Sequence, residues 1–219
     1  MGQSNQGAMA GMTGSPATGG KMSGGASETE RVPFDFYPTP PEPTHALLDF
    51  CEAHHLLPTG HDVWEPACGD GAMAEVLDQR GYQVMASDIR DTGYGTVQDF
   101  LTTEPIAGDL SIITNPPFVR AVEFITHALR FRPTMLALLL KATYWHSQKR
   151  ARWFHQSQPD GGPFRPDYVL PIGWRVAFQP ERGNSPPMDV AWYVWTPDTP
   201  LDRCAYHPLP KPSPQEELL

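Results

Sequence analysis

The stretch Val63-Trp64-Glu65-Pro66-Ala67-Cys68-Gly69-Asp70-Gly71 constrains this chain most, because it runs a short apolar strand into a glycine loop and directly on into a helix. Ala72 to Arg80 has helical spacing, and Gly81 supplies a C-cap. Tyr82-Gln83-Val84-Met85-Ala86-Ser87-Asp88 follows as a second strand, ending in a carboxylate about 20 residues after the loop. Gly69 and Gly71 can take positive φ without a Cβ penalty, which lets backbone approach a ligand, and Asp70 can cap the helix through its free N–H groups. A lone Gly-x-Gly is also an ordinary tight turn, and an aspartate at a strand end is an ordinary surface residue.

The same alternation continues along the chain. The patterning predicts helices at 43–56, 72–80 and 119–130, and strands at 62–65, 83–88, 95–97, 110–114 and 134–140. Val119, Val122, Ile125, Ala128 and Leu129 fall on one face of the third helix, and Pro133 stops it. Arg175 to Phe178 and Val190 to Trp195 read as the last two strands. Short Val/Ile/Leu-rich strands alternating with helices predict a parallel sheet covered on both faces. Residues 1–32 are rich in Gly, Ser, Met and Ala and read as a disordered tail, 33–197 as the folded domain, and 198–219 as a Pro-rich acidic tail.

At the end of the apolar run Leu110-Ser111-Ile112-Ile113-Thr114 stands Asn115-Pro116-Pro117-Phe118. The Asn115 side-chain oxygen and the Pro116 carbonyl can both accept hydrogen bonds from one planar NH2 group and draw it toward a tetrahedral shape whose lone pair can attack a methyl donor. Phe118 can stack on the ring that carries the amine. Pro117 lacks an N–H and has fixed φ, and each proline disfavours helix in its predecessor, so the acceptors are held stiffly. Asn-Pro and Pro-Pro are equally the punctuation of an ordinary strand-to-helix turn. Ligands of open α/β sheets bind at the carboxyl ends of the strands, where Glu65, Asp88 and Asn115 all lie. A further acid beside an aromatic, Asp99-Phe100, follows the short strand near Val97.

Taken in order, these stations resemble the class I S-adenosylmethionine-dependent methyltransferases, specifically the DNA adenine amino-methyltransferases of phage or prophage type. The resemblance spans about residues 34 to 196. It implies a single Rossmann-like α/β domain with a mostly parallel seven-stranded sheet, a C-terminal antiparallel hairpin and helices on both faces. It implies S-adenosylmethionine as cofactor, with Glu65, Ala67, Gly69 and Gly71 in the cofactor loop, Asp88 on the ribose and Asp99 on the adenine. Ile89 and Phe100 would sandwich the adenine ring. Phe36-Tyr37-Pro38-Thr39-Pro40 is similar to the family's N-terminal motif, so Tyr37 and Thr39 join the contacts. Cofactor motifs preceding Asn115 match one of the family's circular orders. The acceptor motif more often ends in Tyr; Phe118 keeps the stacking surface and loses a hydroxyl.

Charge divides the chain. The net −9 is made of 0 over residues 1–32, −12 over 33–112, +6 over 113–182, where ten Arg or Lys face four Asp or Glu, and −3 over 183–219. Lys141, Lys149, Arg150 and Arg152 lie among Tyr144, Trp145 and Trp153 in a segment, 141–168, that reads as a substrate-binding insert. Cations beside aromatics suit phosphate neutralisation and a wedge beside an extruded base, and they equally suit a solvated helix face over buried rings. The insert is short for an independent sequence reader, so the expectation is adenine methylation in DNA with short or relaxed specificity. RNA adenine and protein-glutamine methyltransferases use similar loops and stay open as alternatives, as does a non-catalytic nucleic-acid or partner-binding subunit. Strandedness and oligomeric state are open as well.

No run is long enough to cross a membrane, and the N-terminus lacks the basic start and apolar stretch of a signal peptide, so a cytoplasmic protein is expected. Cys51, Cys68 and Cys204 are an odd, widely spaced set, which argues against a disulfide framework. Cys51, His54, His55 and His61 have ligand-like spacing, but Ala46, Phe50, Ala53 and Leu57 form an apolar stripe on the same segment. No metal is therefore expected there. Cys68 reads as a packing residue rather than a nucleophile.

Overall fold

In the computed structural model the residues described are 38–105, 108–157, 164–178 and 188–213. The chain divides into two units, Met1–Arg31 and Val32–Leu219, and every described residue belongs to the second. In it α1 (Pro41–Ala53) leads to β1 (Asp62–Glu65), α2 (Ala72–Gln79), β2 (Gln83–Asp88), β3 (Thr96–Val97) and β4 (Leu110–Thr114). A 3-10 turn, Phe118–Arg120, enters α3 (Ala121–Arg130), which is followed by β5 (Leu136–Lys141), α4 (Gln148–Phe154), β6 (Tyr168–Pro171), β7 (Val190–Trp195) and β8 (Ala205–Tyr206).

The strands form one sheet in the order β3-β2-β1-β4-β5-β7-β6-β8. β7 pairs antiparallel with β5 and with β6, and all other neighbours are parallel, so β7 alone runs against the rest. Period-two alternation divides the strand side chains between two apolar clusters. Val63, Ile113, Ala137, Leu139, Trp192 and Val194 pack with Leu47 and Leu48 of α1 and Met73 and Leu77 of α2. Trp64, Ile112, Leu136, Leu138, Leu140 and Tyr193 pack with Phe124, Ile125, Ala128 and Leu129 of α3.

The structure differs from the sequence expectation at four places. The sheet has eight strands, because Ala205–Tyr206, within the segment read as a tail, pairs parallel with β6, and Leu209 beyond it is buried. The partner of β7 is Tyr168–Pro171 rather than Arg175–Phe178. A bend at Gly173–Trp174 interrupts pairing, and only Val176 bridges to Met188. In α3 the buried stripe is Ala121, Phe124, Ile125, Ala128 and Leu129, whereas Val119 and Val122 are 71% and 42% exposed. The intervening 3-10 turn advances about three rather than 3.6 residues per turn and so rotates the apolar phase. Finally, the insert carries a helix, α4, which the expected element order lacked although a solvated helix face over buried rings was one of its two readings; Ser147 caps it by accepting from the Arg150 N–H.

Cys51 faces the core, where its thiol meets the Met135 sulfur at 3.7 Å and burial pushes it up to about 12, while the His54 ring packs tilted against Phe50 at 4.1 Å. Among the described residues no group of three potential ligands is close enough to hold a metal. No described helix is long and apolar enough to cross a membrane.

Candidate active site

Because β2, β1 and β4 are parallel neighbours, their carboxyl ends bring Glu65, Asp88 and Asn115 to one edge of the sheet. The loop after β1 is tied to the end of β2 by two hydrogen bonds. Cys68 N–H donates to Ser87 O at 2.9 Å, and Gly69 N–H donates to Asp88 Oδ2 at 3.0 Å. Gly71, at φ 92°, is the N-cap of α2, and Asp70 accepts from Ala72 N–H at 3.3 Å. Ala67 lies half-buried within this loop.

Glu65 is 2% exposed, and its Oε2 has no hydrogen-bond partner among the described residues. Burial pushes its carboxyl up to about 8, helped by Asp70 and Asp88 and opposed by a hydrogen bond from the Ala74 backbone. A buried acceptor of this kind is costly unless something donates to it. Asp88 is treated oppositely. Burial alone would raise it, but the Arg90 side chain, the Arg90 N–H and the Gly69 N–H outweigh that and hold it below the usual carboxylate range. Arg90 Nε reaches Asp88 Oδ1 at 2.9 Å, and Arg90 Nη2 reaches Oδ2 at 3.1 Å. With the two backbone donors, all of the roughly four acceptor positions of this carboxylate are taken. Any further donor to Asp88 therefore has to displace part of the Arg90 fork, a feature the spacing did not reveal.

Asp99 is half-buried, and its Oδ1 accepts from the Leu101 N–H at 3.0 Å. Ile89 is 51% exposed and available to a ligand. Phe100 corrects the expected sandwich. At 2% exposure its ring is enclosed by Trp64, Phe124, His127 and Phe131, so it packs the core and offers no open face.

On the acceptor side, Asn115 Nδ2 donates to Thr39 Oγ1 at 3.0 Å. Thr39 was expected on the cofactor; here it orients the amide and leaves Asn115 Oδ1 as the acceptor. Tyr37, expected beside it, lies outside the described residues. Pro116 is buried and Pro117 half-buried, while Phe118 is half-buried where the two apolar clusters meet. Lys141 Nζ stands 5.7 Å from the Phe118 ring centre. The Tyr193 hydroxyl pins this end of β5 by donating toward the Lys141 and Ala142 carbonyls, each at 3.1 Å.

The insert is more packed than expected. Trp145 stacks on Trp153 at 5.5 Å and 28°, with Tyr144 and Phe154 edge-on, so its ring is committed to this cluster rather than free as a wedge. Arg150 lies over the Tyr144 ring at 4.8 Å. Lys149 and Arg152 are exposed on α4. Segments 161–163 and 183–187, which include Gly161, Gly162 and Gly183, lie outside the described residues.

One residue missed by the motifs is Tyr94. Its ring lies against Gly71, and the signal was an aromatic between two glycines, Gly93-Tyr94-Gly95, shortly after Asp88.

No family model matches the chain, and no curated protein sequence matches it. Solved structures do. A Pyrococcus horikoshii protein described as an RNA methyltransferase aligns at TM-score 0.56 and 14% identity, over 77% of this chain and 90% of that one. The type I restriction-modification methyltransferase subunit from Streptococcus thermophilus aligns at 0.53 and 10% identity, over 78% of this chain and 47% of that one. A modification subunit of a type I restriction enzyme from Vibrio vulnificus aligns at 0.51 and 12%, over 83% and 48%. The chain thus has a methyltransferase-like α/β fold and spans about half the length of the two modification subunits.

Proposed function

We propose that this chain is an S-adenosylmethionine-dependent methyltransferase acting on the exocyclic amine of adenine in DNA, with short or relaxed sequence preference. The observation that carries the reading is the Asn115 amide, held through Nδ2 by Thr39 with its oxygen left as an acceptor, in the loop that also carries Pro116 and Phe118. The fold agrees with it, since two of the similar structures are restriction-modification methyltransferase subunits. A second reading, RNA adenine methylation, is favoured by the likeness to the Pyrococcus protein.

The residues of the cofactor edge fit the cofactor. The unpartnered Glu65 oxygen suits the ammonium of the methionine moiety, and the left-handed glycines let the loop backbone come close. Asp88 suits the ribose once Arg90 yields, and Asp99 and Ile89 suit the adenine. When bound, S-adenosylmethionine supplies an electrophilic methyl group. Asn115 Oδ1 and Pro116 O accept the two amine hydrogens, so the nitrogen lone pair is freed. Phe118 holds the base by stacking, and the surplus proton leaves to Asn115 or water. Catalysis of this kind is alignment and electrostatic support, with no titrating base required. Lys149 and Arg152 hold phosphates without reading sequence.

The test is to incubate the protein with labelled S-adenosylmethionine and, separately, DNA, RNA and protein extract, and to identify the product by mass spectrometry. The expected product is 6-methyladenine in DNA. Label only in RNA establishes the second reading, and label in glutamine or in nothing overturns both.

A further inference from the structure

Between β2 and β3 the chain makes an arch that returns onto the glycine loop. It leaves Asp88 through the exposed Ile89, turns where the Gly93 N–H donates to Asp91, and brings Tyr94 back against Gly71. The contact is close enough that a Cβ on Gly71 would stand 2.4–2.6 Å from three atoms of the Tyr94 ring. Gly95 is pressed in the same way, since a Cβ there would meet Ala86 O at 2.6 Å and Cys68 Sγ at 2.9 Å. Each loop therefore seats the other. The glycine at 71 makes room for the tyrosine, and the glycine at 95 lets the arch lie on the β1 loop. β3 then closes the arch by pairing Thr96 and Val97 with Ser87 and Asp88. The Tyr94 side chain is half-buried, and burial followed by the nearby carboxylates Glu75 and Glu65 raises its hydroxyl above the ordinary tyrosine range.

We propose that Tyr94 contacts the S-adenosyl ligand directly, its ring standing on Gly71 beside the junction of the glycine loop with the Asp88 end of β2. This rests on the reading of that edge as an S-adenosylmethionine site. An aromatic face costs little conformational entropy to hold and is well suited to covering the apolar flank of a nucleoside and the cationic sulfur beside it. The ring, rather than the hydroxyl, is the contacting part, because it is the ring that lies on Gly71.

The experiment compares wild type, Tyr94→Phe, Tyr94→Ala and Asp88→Ala by calorimetry with S-adenosylmethionine and S-adenosylhomocysteine, alongside melting temperatures of the ligand-free proteins. It adds the 19F spectrum of protein carrying 3-fluorotyrosine, with the position-94 signal assigned by its loss in Tyr94→Phe. Expected are wild-type affinity in Tyr94→Phe, about tenfold weaker binding of both ligands in Tyr94→Ala, and a ligand-induced shift of the position-94 signal. A role in holding the loop alone would lower the melting temperature and leave the signal still. If wild type binds and Asp88→Ala weakens it, while Tyr94→Ala binds like wild type and the signal does not move, the Tyr94 assignment falls and the cofactor reading stands. Tighter binding in Tyr94→Ala means the ring blocks the ligand's place and also overturns the assignment. Absence of binding by wild type defeats the cofactor reading and this inference together.

Discussion

The two halves of the sheet's carboxyl edge are built in different ways. On the β1–β2 side the partners lie within one strand-helix-strand unit, Cys68 with Ser87 and Gly69 with Asp88, the latter pair 19 residues apart, and the polar groups are mainly acidic. On the β4–β5 side Asn115 is held by Thr39, 76 residues away, and Phe118 lies beneath a lysine from the next strand. The first edge is a local backbone device and the second a tertiary assembly. Damage to the first should therefore appear as lost ligand affinity, and damage to the second as lost turnover.

The largest effect separating the halves is expected at Asn115. In the proposed role Asn115 touches the amine and not the cofactor, so in Asn115→Ala methyl transfer should fall by about 100-fold or more while cofactor affinity stays near wild type. Single-turnover rates measured with calorimetry check both parts. Loss of affinity in step with activity would erase the division between the two edges.

On the cofactor edge the next effect is at Glu65, and its sign follows from the raised carboxyl. The folded value is about 8 against 4.5 for the ordinary group, so the folded chain holds a proton that the unfolded chain releases. Stability from this group is full below about 4.5 and is lost as pH rises toward 8. Glu65→Gln should match wild type near pH 5 and exceed it near pH 8.5, by something on the order of 2–4 kcal/mol in the ligand-free protein. Denaturant midpoints at the two pH values measure this, and an equal gap at both would remove Glu65 as the titrating group. If Glu65 takes an ammonium, cofactor affinity should also rise over the same pH range.

A smaller effect is expected at Asp88. Asp88→Ala should weaken S-adenosylmethionine by about 1.5–3 kcal/mol, the range for hydrogen bonds to a charged group. Arg90→Ala should move affinity the other way, since the fork that occupies both oxygens of Asp88 is gone. Parallel weakening in the two variants would mean that Arg90 holds the carboxylate in place for the ligand rather than competing for it.

The same contrast decides what could be read from the chain. The strand before Glu65, the one ending at Asp88 and the one before Asn115 were legible to the residue, because apolar runs closed by glycine or proline loops are local signals. Phe100 was misread because aromatic identity beside an acid does not say whether a ring faces ligand or core; four surrounding rings decide that. Arg90 left no sequence signal, and Tyr94 only that of an aromatic between two glycines, for a related reason. Their roles depend on which way an irregular loop turns, and a loop without periodicity has no sequence pattern for that. β8 was lost in a Pro-rich segment whose composition resembles a tail but which supplies a two-residue edge strand and the buried Leu209. Trp145 and Val119 exchanged their expected environments, since a seven-residue helix and a 3-10 turn each reset the phase.

The smallest effect expected concerns the basic insert, and it tests whether the acceptor edge reads sequence. Lys149 and Arg152 are exposed on α4 and suited to phosphates, whereas Arg150 lies on Tyr144 and belongs to the aromatic cluster. Phosphate contacts add affinity without sequence information, and each one lost should reduce the salt slope by about one. The Lys149→Gln/Arg152→Gln double variant should therefore lose roughly three- to tenfold activity at moderate salt on every adenine context alike, with a flatter salt dependence. Arg150→Gln should change the slope less and the melting temperature more, because what it loses is a cation–π contact of about 0.5–1 kcal/mol. Methyl incorporation across a salt series, with sequencing of the modified DNA, reads all three. A double variant that failed on one sequence and worked on another, or wild-type methylation confined to one fixed motif of four or more base pairs, would show that side chains of this half reach base edges. The acceptor edge would then be a reader as well as a clamp, and the relaxed preference proposed for this chain would fall.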